Sequence, residues 1–248
     1  MTNISYEHAA WPIRDEIVRA HRSQWERLAM PGTWLTGAER VAIAAETRNA
    51  PNCTLCTQRK DALSPYTIEG EHDSLGVLPE VLVEQIHRIV TDPSRLTRKW
   101  YDGLIDAGLT PEKYVEALGC MATTIAVDTF CQGIGIDIWP LPEAHPGEPT
   151  LIRPPAEVGM AWVPTLTRDL ADGTAFEWIY GARKRVTNIY QAMTLVPEEV
   201  RGFLGEMVDA HYMPSQWTGD PDDLPHAITI PQIEAVATRV SSLNGCFY

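Results

Sequence analysis

The chain has 248 residues, of which 44% are hydrophobic, and carries a net charge of −13. That length and apolar content can bury a substantial core, while the acidic balance repels a phosphate backbone, so no nucleic-acid partner is expected. No apolar run of about 18 residues could span a bilayer, the charged opening MTNISYEHAAWPIRDEIVRA lacks a secretory core, and five cysteines in no scaffold spacing suit a reducing cytoplasm, with no membrane contact.

The hydrophobic periodicity is helical and no alternating strand of any length stands out, so the expected fold class is all-α. In chain order, helices are expected over about 12–29, 36–50, 53–63, 79–91, 95–107, 111–133, 176–194, 197–212 and 230–244. Thr36 and Glu39 form a capping box. Thr110 and Pro111 open a long helix that stops at Gly133 and Gly135. Pro197, and then Thr229 with Pro231, open the last two. Residues 139–175, proline-rich and charged, read as an extended connection. The expected organisation is a first helical repeat over 1–140, a connection over 141–174, and a second, C-terminally incomplete repeat over 175–248.

The repeat rests on one gapless overlay. LTGAERVAIAAETRNAPNCTLC and ITIPQIEAVATRVSSLNGCFY place Thr36 on Thr229, Ala42 on Ala235 and Cys53 on Cys246. Each is a capped helix leading through an Asn-containing turn to a cysteine. Chance likeness between two amphipathic helices is the competing explanation, because Ala and Val recur on any buried helix face.

Cys53-Thr54-Leu55-Cys56 carries the chemistry. With Asn52 as N-cap, Cys53 would occupy the first turn of a helix, where backbone N–H groups and the helix dipole favour a thiolate. A spacing of three puts both sulfurs on one face, within reach of a disulfide. Two buried core cysteines are the structural alternative. A zinc site would want two further ligands with short spacing, which Cys120 and Cys131 do not offer, so no metal is expected. A thioredoxin-type site would need a βαβ pattern that is missing. Glu234, in the middle of the apolar helix IEAVATRV, either faces solvent or serves Cys246 as a proton acceptor. His72, in a loop, and His87, at core-like helical spacing, are candidate proton relays near Cys56; the spacing of His87 favours a structural role. His211 and Tyr212 read as a helix-end dipole contact, and the eight tryptophans as core and interface packing.

These stretches resemble the alkyl hydroperoxidase D / carboxymuconolactone decarboxylase superfamily, whose peroxidase branch carries Glu-x11-Cys-x-x-Cys-x3-His. Glu234 and Cys246 match its first two positions. NIYQAMTLVPEEVRGFLGEMVDAHY resembles the helix pair ahead of that site, and GLTPEKYVEALGCMATTIAVDTFCQGIG resembles a later packing helix of the repeat. The first repeat departs from the pattern: Val41 stands at the glutamate position, with Glu39 (already a cap) and Glu46 nearby, and Lys60 stands at the histidine position. A lysine can stabilise a thiolate but shuttles protons poorly at neutral pH.

The resemblance implies a two-repeat helical fold and a cytoplasmic peroxidase. It would reduce small hydroperoxides through Cys53 and Cys56, the more exposed sulfur attacking, with an external dithiol as reductant and assembly as a homo-oligomer, a dimer or higher. No cofactor beyond the redox-active cysteines is implied. In the second repeat the missing second cysteine would be the attacker and Cys246 its resolving partner. The reading frame is therefore expected to continue past Tyr248, supplying that nucleophile as cysteine or selenocysteine, against the alternative that the chain ends there. A cofactor-free acid–base enzyme on the same fold and a non-catalytic helical scaffold are the competing functions.

Overall fold

A computed structural model describes residues 4–181, 186–212, 224 and 226–246. It is mostly helical. The first half follows the sequence pattern closely: α1 spans Asp15–Ala29, α2 Gly37–Asn49, α3 Thr54–Asp61, α4 Glu80–Thr91, α5 Arg98–Asp106 and α6 Pro111–Gly133. Their starts are chemically marked. Thr36 and Glu39 close the expected capping box, with the Glu39 N–H donating to Thr36 Oγ1 at 3.2 Å and the Thr36 N–H to Glu39 Oε2 at 2.8 Å. Thr97 and Thr110 cap α5 and α6 through their hydroxyls.

The connection after α6 is extended, as its prolines require, and lies against the α1–α2 corner. His145 donates its backbone N–H to Ala29, Thr150 to Gly32 and Leu151 to Thr33. It then forms a two-residue antiparallel ribbon, β1 (Glu157–Val158) with β2 (Pro164–Thr165), and a short helix α7 (Arg168–Ala171).

The expected helix over 176–194 is not continuous. A 3-10 turn at Glu177–Ile179 and a short α8, Asn188–Ala192, stand in its place, and residues 182–185 lie outside the described residues. Gly181, at φ 48°, sits in the left-handed region that ends a helical turn. Thr187 then caps α8 afresh by accepting from the Tyr190 N–H. The next helix begins at Pro197 as expected, running from α9 (Pro197–Glu199) through a π-helical stretch, Val200–Met207, into α10, Val208–His211. The last helix, α11, spans Ile230–Leu243. Among the described residues no helix is long and apolar enough to cross a membrane.

One hydrophobic core runs from Ile4 to Met207 and gathers Trp25 and Leu28 of α1, Ile43 of α2, Ile86 of α4 and Met121 of α6. Through it passes a buried ionic cluster. Arg27 grips Glu199 with both terminal nitrogens at 2.7 Å, and Arg40 reaches Glu199 at 3.1 Å and Glu116 at 2.5 Å. Arg40, Glu116 and Glu199 are sealed from solvent. Burial raises the proton affinity of Glu199, but the two guanidiniums outweigh it and hold the carboxyl down at about 2. Glu116, with less positive charge beside it, is pushed up by burial. Glu199 reaches the cluster only because residue 119 of α6 has no side chain: a Cβ at Gly119 would lie 2.1 Å from Glu199 Oε2.

Two stability changes follow. Glu199→Gln leaves the buried Arg40 and the half-buried Arg27 short of a counter-charge and should cost about 3–5 kcal/mol in chemical denaturation; Gly119→Ala, which displaces the same carboxylate, should destabilise in the same sense. Because the folded-state pKa of Glu199 lies below its ordinary value, its stabilisation is complete above pH 4.5 and is lost as pH falls toward about 2. The stability gap between wild type and Glu199→Gln should therefore close over that window in acid titrations followed by circular dichroism.

Candidate functional site

Helix α2 ends at Asn49, and a 3-10 turn at Ala50–Asn52, fixed by Pro51, redirects the chain into α3. Cys53, rather than Asn52, is the N-cap of α3. The reason is the tight turn: Asn52 is consumed in closing it, and the Cys53 N–H donates back to Ala50 at 3.2 Å. The loop before α4 folds over this corner. Asp73 clamps it: its carboxylate accepts from the Thr54 N–H at 2.7 Å, its carbonyl from the Asn49 side-chain amide at 2.6 Å, and its own N–H points at Cys53 Sγ at 3.4 Å. The Leu75 N–H donates to Glu46 Oε2 at 3.0 Å.

The clamp delivers His72 onto the cysteine pair. Its Nδ1 stands 3.5 Å from both Cys53 Sγ and Cys56 Sγ, and its Nε2 lies 2.7 Å from Glu84 Oε2. A second imidazole arrives from α4, with His87 Nδ1 3.3 Å from Cys56 Sγ and its Nε2 2.8 Å from Glu46 Oε1. The two rings are 4.3 Å apart. Each sulfur therefore faces an imidazole whose far nitrogen is held by a carboxylate. Glu84 is further tied by Arg59 at 2.9 Å and the Trp100 indole N–H at 2.9 Å.

The charges follow from these contacts. Burial works against a charged His72, yet the hydrogen bonds to Cys56, Glu84 and Cys53 outweigh it and raise the imidazole to about 10. Burial likewise opposes ionisation of Glu84, and the bonds from His72 and Arg59 overcome this, holding it at about 2. Cys53 is disfavoured as a thiolate by burial but lowered overall by the N–H groups of Cys56 and Asp73 and by His72. His87 is lowered, desolvation winning over Glu46. The contacts thus favour the charged forms along the Cys53–His72–Glu84 line and disfavour a charged His87 beside it.

Five of the sequence candidates thus converge: Cys53, Cys56, His72, His87 and Glu46. The others do not. Lys60 is exposed on α3; its neighbour Arg59 reaches the site through Glu84. Glu234 is exposed and accepts from the Tyr212 hydroxyl, and it shares an open groove with the exposed Cys246, Ser94 and Arg95. Phe247 and Tyr248 lie outside the described residues. His211, expected as a helix-end dipole contact, instead stacks on His21 with the two Nε2 atoms 2.6 Å apart.

An expectation of accessibility is overturned. Cys53 and Cys56 are 0% and 2% exposed, because the 70–75 loop and Ile68 cover them, so exposure does not select an attacking sulfur. Both thiols are free. Glu84 was missed in the sequence, although its spacing of three from His87 on α4 puts both on one helix face. No family model, curated protein or solved structure matches the chain.

The Asp73 clamp makes access testable. Asp73→Ala removes the acceptor for the Thr54 N–H and loosens the cover, so alkylation of Cys53 by limiting iodoacetamide should accelerate several-fold. Labelling of the exposed Cys246 should not change, as read by peptide mass spectrometry.

Proposed function

We propose that the chain is a thiol-dependent peroxidase acting through Cys53 and Cys56. One observation carries the reading: both sulfurs lie within 3.5 Å of the same His72 Nδ1, which a carboxylate holds from behind. The resemblance to the alkyl hydroperoxidase D superfamily supports it, with His72 and His87 taking the place of the histidine that Lys60 replaces. Assembly as a homo-oligomer and recycling by an external dithiol belong to the same proposal.

Attack falls to Cys53, whose sulfur receives the Asp73 N–H. The Cys53 thiolate attacks the outer peroxide oxygen, the O–O bond breaks, and the proton on His72 goes to the departing oxygen, giving a sulfenic acid and an alcohol. Cys56 then attacks the Cys53 sulfur, its thiol proton passing to the His87–Glu46 pair or back through His72, and water leaves as the disulfide forms. Overall, two thiols and one hydroperoxide become one disulfide, one alcohol and one water. A dithiol restores the pair by exchange. The peroxide enters as the 70–75 loop lifts.

Organic hydroperoxides fit the surroundings. A groove of about 740 Å³, walled by Tyr66, Val81, Trp100 and Leu104, shares Glu84 with the site. Its apolar walls suit the carbon body of an alkyl hydroperoxide, and Glu84 links it to His72 beside the sulfurs.

Cys53→Ser should abolish dithiol-dependent peroxide consumption. Cys56→Ser should stop after one turnover and accumulate a sulfenic acid on Cys53, trapped with a carbon nucleophile and located by mass spectrometry. Full turnover in Cys53→Ser would remove Cys53 as the attacking sulfur and sink this reading.

Substrate class is tested from α5. A Cβ at Gly103 meets nothing within 4 Å and opens on the groove, so Gly103→Phe should fold normally and gain helix propensity. It should raise KM for a bulky aryl-alkyl hydroperoxide about tenfold or more, the loss of one well-buried apolar contact, while leaving hydrogen peroxide turnover unchanged.

A further inference from the structure

The four inner atoms of this site also describe a coordination polyhedron. Cys53 Sγ, Cys56 Sγ, one ring nitrogen of His72 and one of His87 all lie within 4.8 Å of one another. A tetrahedral zinc ion with bonds of about 2.3 Å to sulfur and 2.0–2.1 Å to nitrogen separates its sulfur and nitrogen ligands by about 3.5 Å. Three of the four S···N separations, Cys53–His72, Cys56–His72 and Cys56–His87, are 3.5, 3.5 and 3.3 Å, and the fourth lies within the 4.8 Å limit. We propose that Cys53, Cys56, His72 and His87 form a tetrahedral Cys2His2 zinc site.

Three further features point the same way. Both imidazoles present Nδ1 inward and give Nε2 to a carboxylate, His72 to Glu84 and His87 to Glu46, the outer-shell arrangement that fixes the tautomer of metal-binding histidines. The Asp73 N–H is aimed at Cys53 Sγ, where it offsets thiolate charge. The ligands come from a Cys-x-x-Cys helix start, a loop and the next helix, so a bound ion would tie the 70–75 loop to α3 and α4.

The donor set also selects the ion and its role. Two thiolates and two imidazoles in a tetrahedron favour zinc over magnesium or calcium, which prefer oxygen donors. Two thiolates neutralise the dication without a further anion. All four donors are protein side chains and the sulfurs are sealed from solvent, leaving no open position for water. The site is therefore of the closed, structural kind rather than a hydrolytic centre.

The inference needs only the four donors and stands apart from the peroxidase reading, although the two share residues. Where both hold, peroxide expels the ion: the zinc bis-thiolate, one hydroperoxide and two protons give free zinc, the Cys53–Cys56 disulfide, one alcohol and one water.

The test uses the full chain, stripped by a chelator under reducing conditions and titrated with cobalt(II) and zinc(II). One equivalent of cobalt should produce the intense visible bands of tetrahedral coordination and sulfur-to-cobalt charge transfer, and zinc should displace it. Cys53→Ser should halve the charge-transfer intensity, and His87→Gln should weaken zinc binding. Glu46→Gln and Glu84→Gln, which leave every ligand in place, should each weaken it about 10–100-fold. Cys246→Ser, on the separate groove, should bind zinc like wild type, with circular dichroism reporting folding throughout. Absence of a stoichiometric site, octahedral cobalt spectra, or spectra unchanged in folded Cys53→Ser would overturn the proposal. Zinc that binds as described but is not released by peroxide would sink the redox reading and leave the metal site standing.

Discussion

The buried contact of Arg27 and Arg40 with Glu116 and Glu199 is the constraint on which the architecture depends. It joins α1, α2, α6 and the Pro197 helix at one point of the core, using side chains from four separated stretches of chain. Charges removed from water in this way are costly, and the arrangement holds only while each has its partner in place. That requirement fixes the position of α2 against α6 more sharply than apolar packing alone, because hydrophobic contacts tolerate small slides and paired guanidinium–carboxylate contacts do not. Since α2 supplies Glu46 and leads directly into Cys53, the cysteine corner inherits that rigidity.

The site itself is cross-braced. Glu84 and His87 share a face of α4 yet serve different lines: Glu84 holds His72 from the loop, while His87 is held by Glu46 from α2. The loop is thus fixed by α4, and α4 by α2. Asp73 closes the circuit by tying the loop to the start of α3. No single element positions the two imidazoles, which explains how a loop residue such as His72 can sit as squarely on the sulfurs as a helical one. Because each imidazole has a carboxylate behind it and Cys53 Sγ receives the Asp73 N–H, the buried polar groups here largely satisfy one another.

Local chemistry made the first six helices legible. The capping hydroxyls at Thr36 and Thr110, and Pro111 beside the second, are written in adjacent residues, and the long helix Pro111–Gly133 has the bounds its sequence signals indicate. The expected helix over 176–194 was misread because helical periodicity there is short-range and a positive-φ glycine, Gly181, breaks it. The site was half legible. The pair Cys53 and Cys56 stood out by spacing, and Glu46, His72 and His87 were named as candidates, but their convergence depends on a loop closing over 15 residues of sequence between Cys56 and His72, which no local rule encodes. The core-like spacing of His87 was a correct reading of its burial and a misleading guide to its use. A buried histidine must bond both ring nitrogens, and one of its partners is a sulfur of the site. Likewise, seeking metal ligands among the other cysteines looked past the histidines, the residue type on which the proposed zinc site draws.

The tautomer of the two imidazoles links the proposed uses of the site. A carboxylate at Nε2 keeps that nitrogen protonated, so Nδ1 turns its lone pair toward the sulfurs in the neutral ring. In the proposed peroxidase cycle this nitrogen takes a proton from a thiol and, once charged, offers it to a leaving oxygen. In the proposed zinc site the same lone pair would bind the ion, and the protons would be released to solvent because both sulfurs must be anionic and both rings neutral. Metal and protons therefore compete for one set of atoms. Disulfide formation excludes the metal for a different reason: it withdraws both thiolate ligands at once, leaving two imidazoles that cannot hold a dication in a closed site. On both proposals, what occupies the centre of the pocket would set its state, while Glu46 and Glu84 keep the two imidazoles in place.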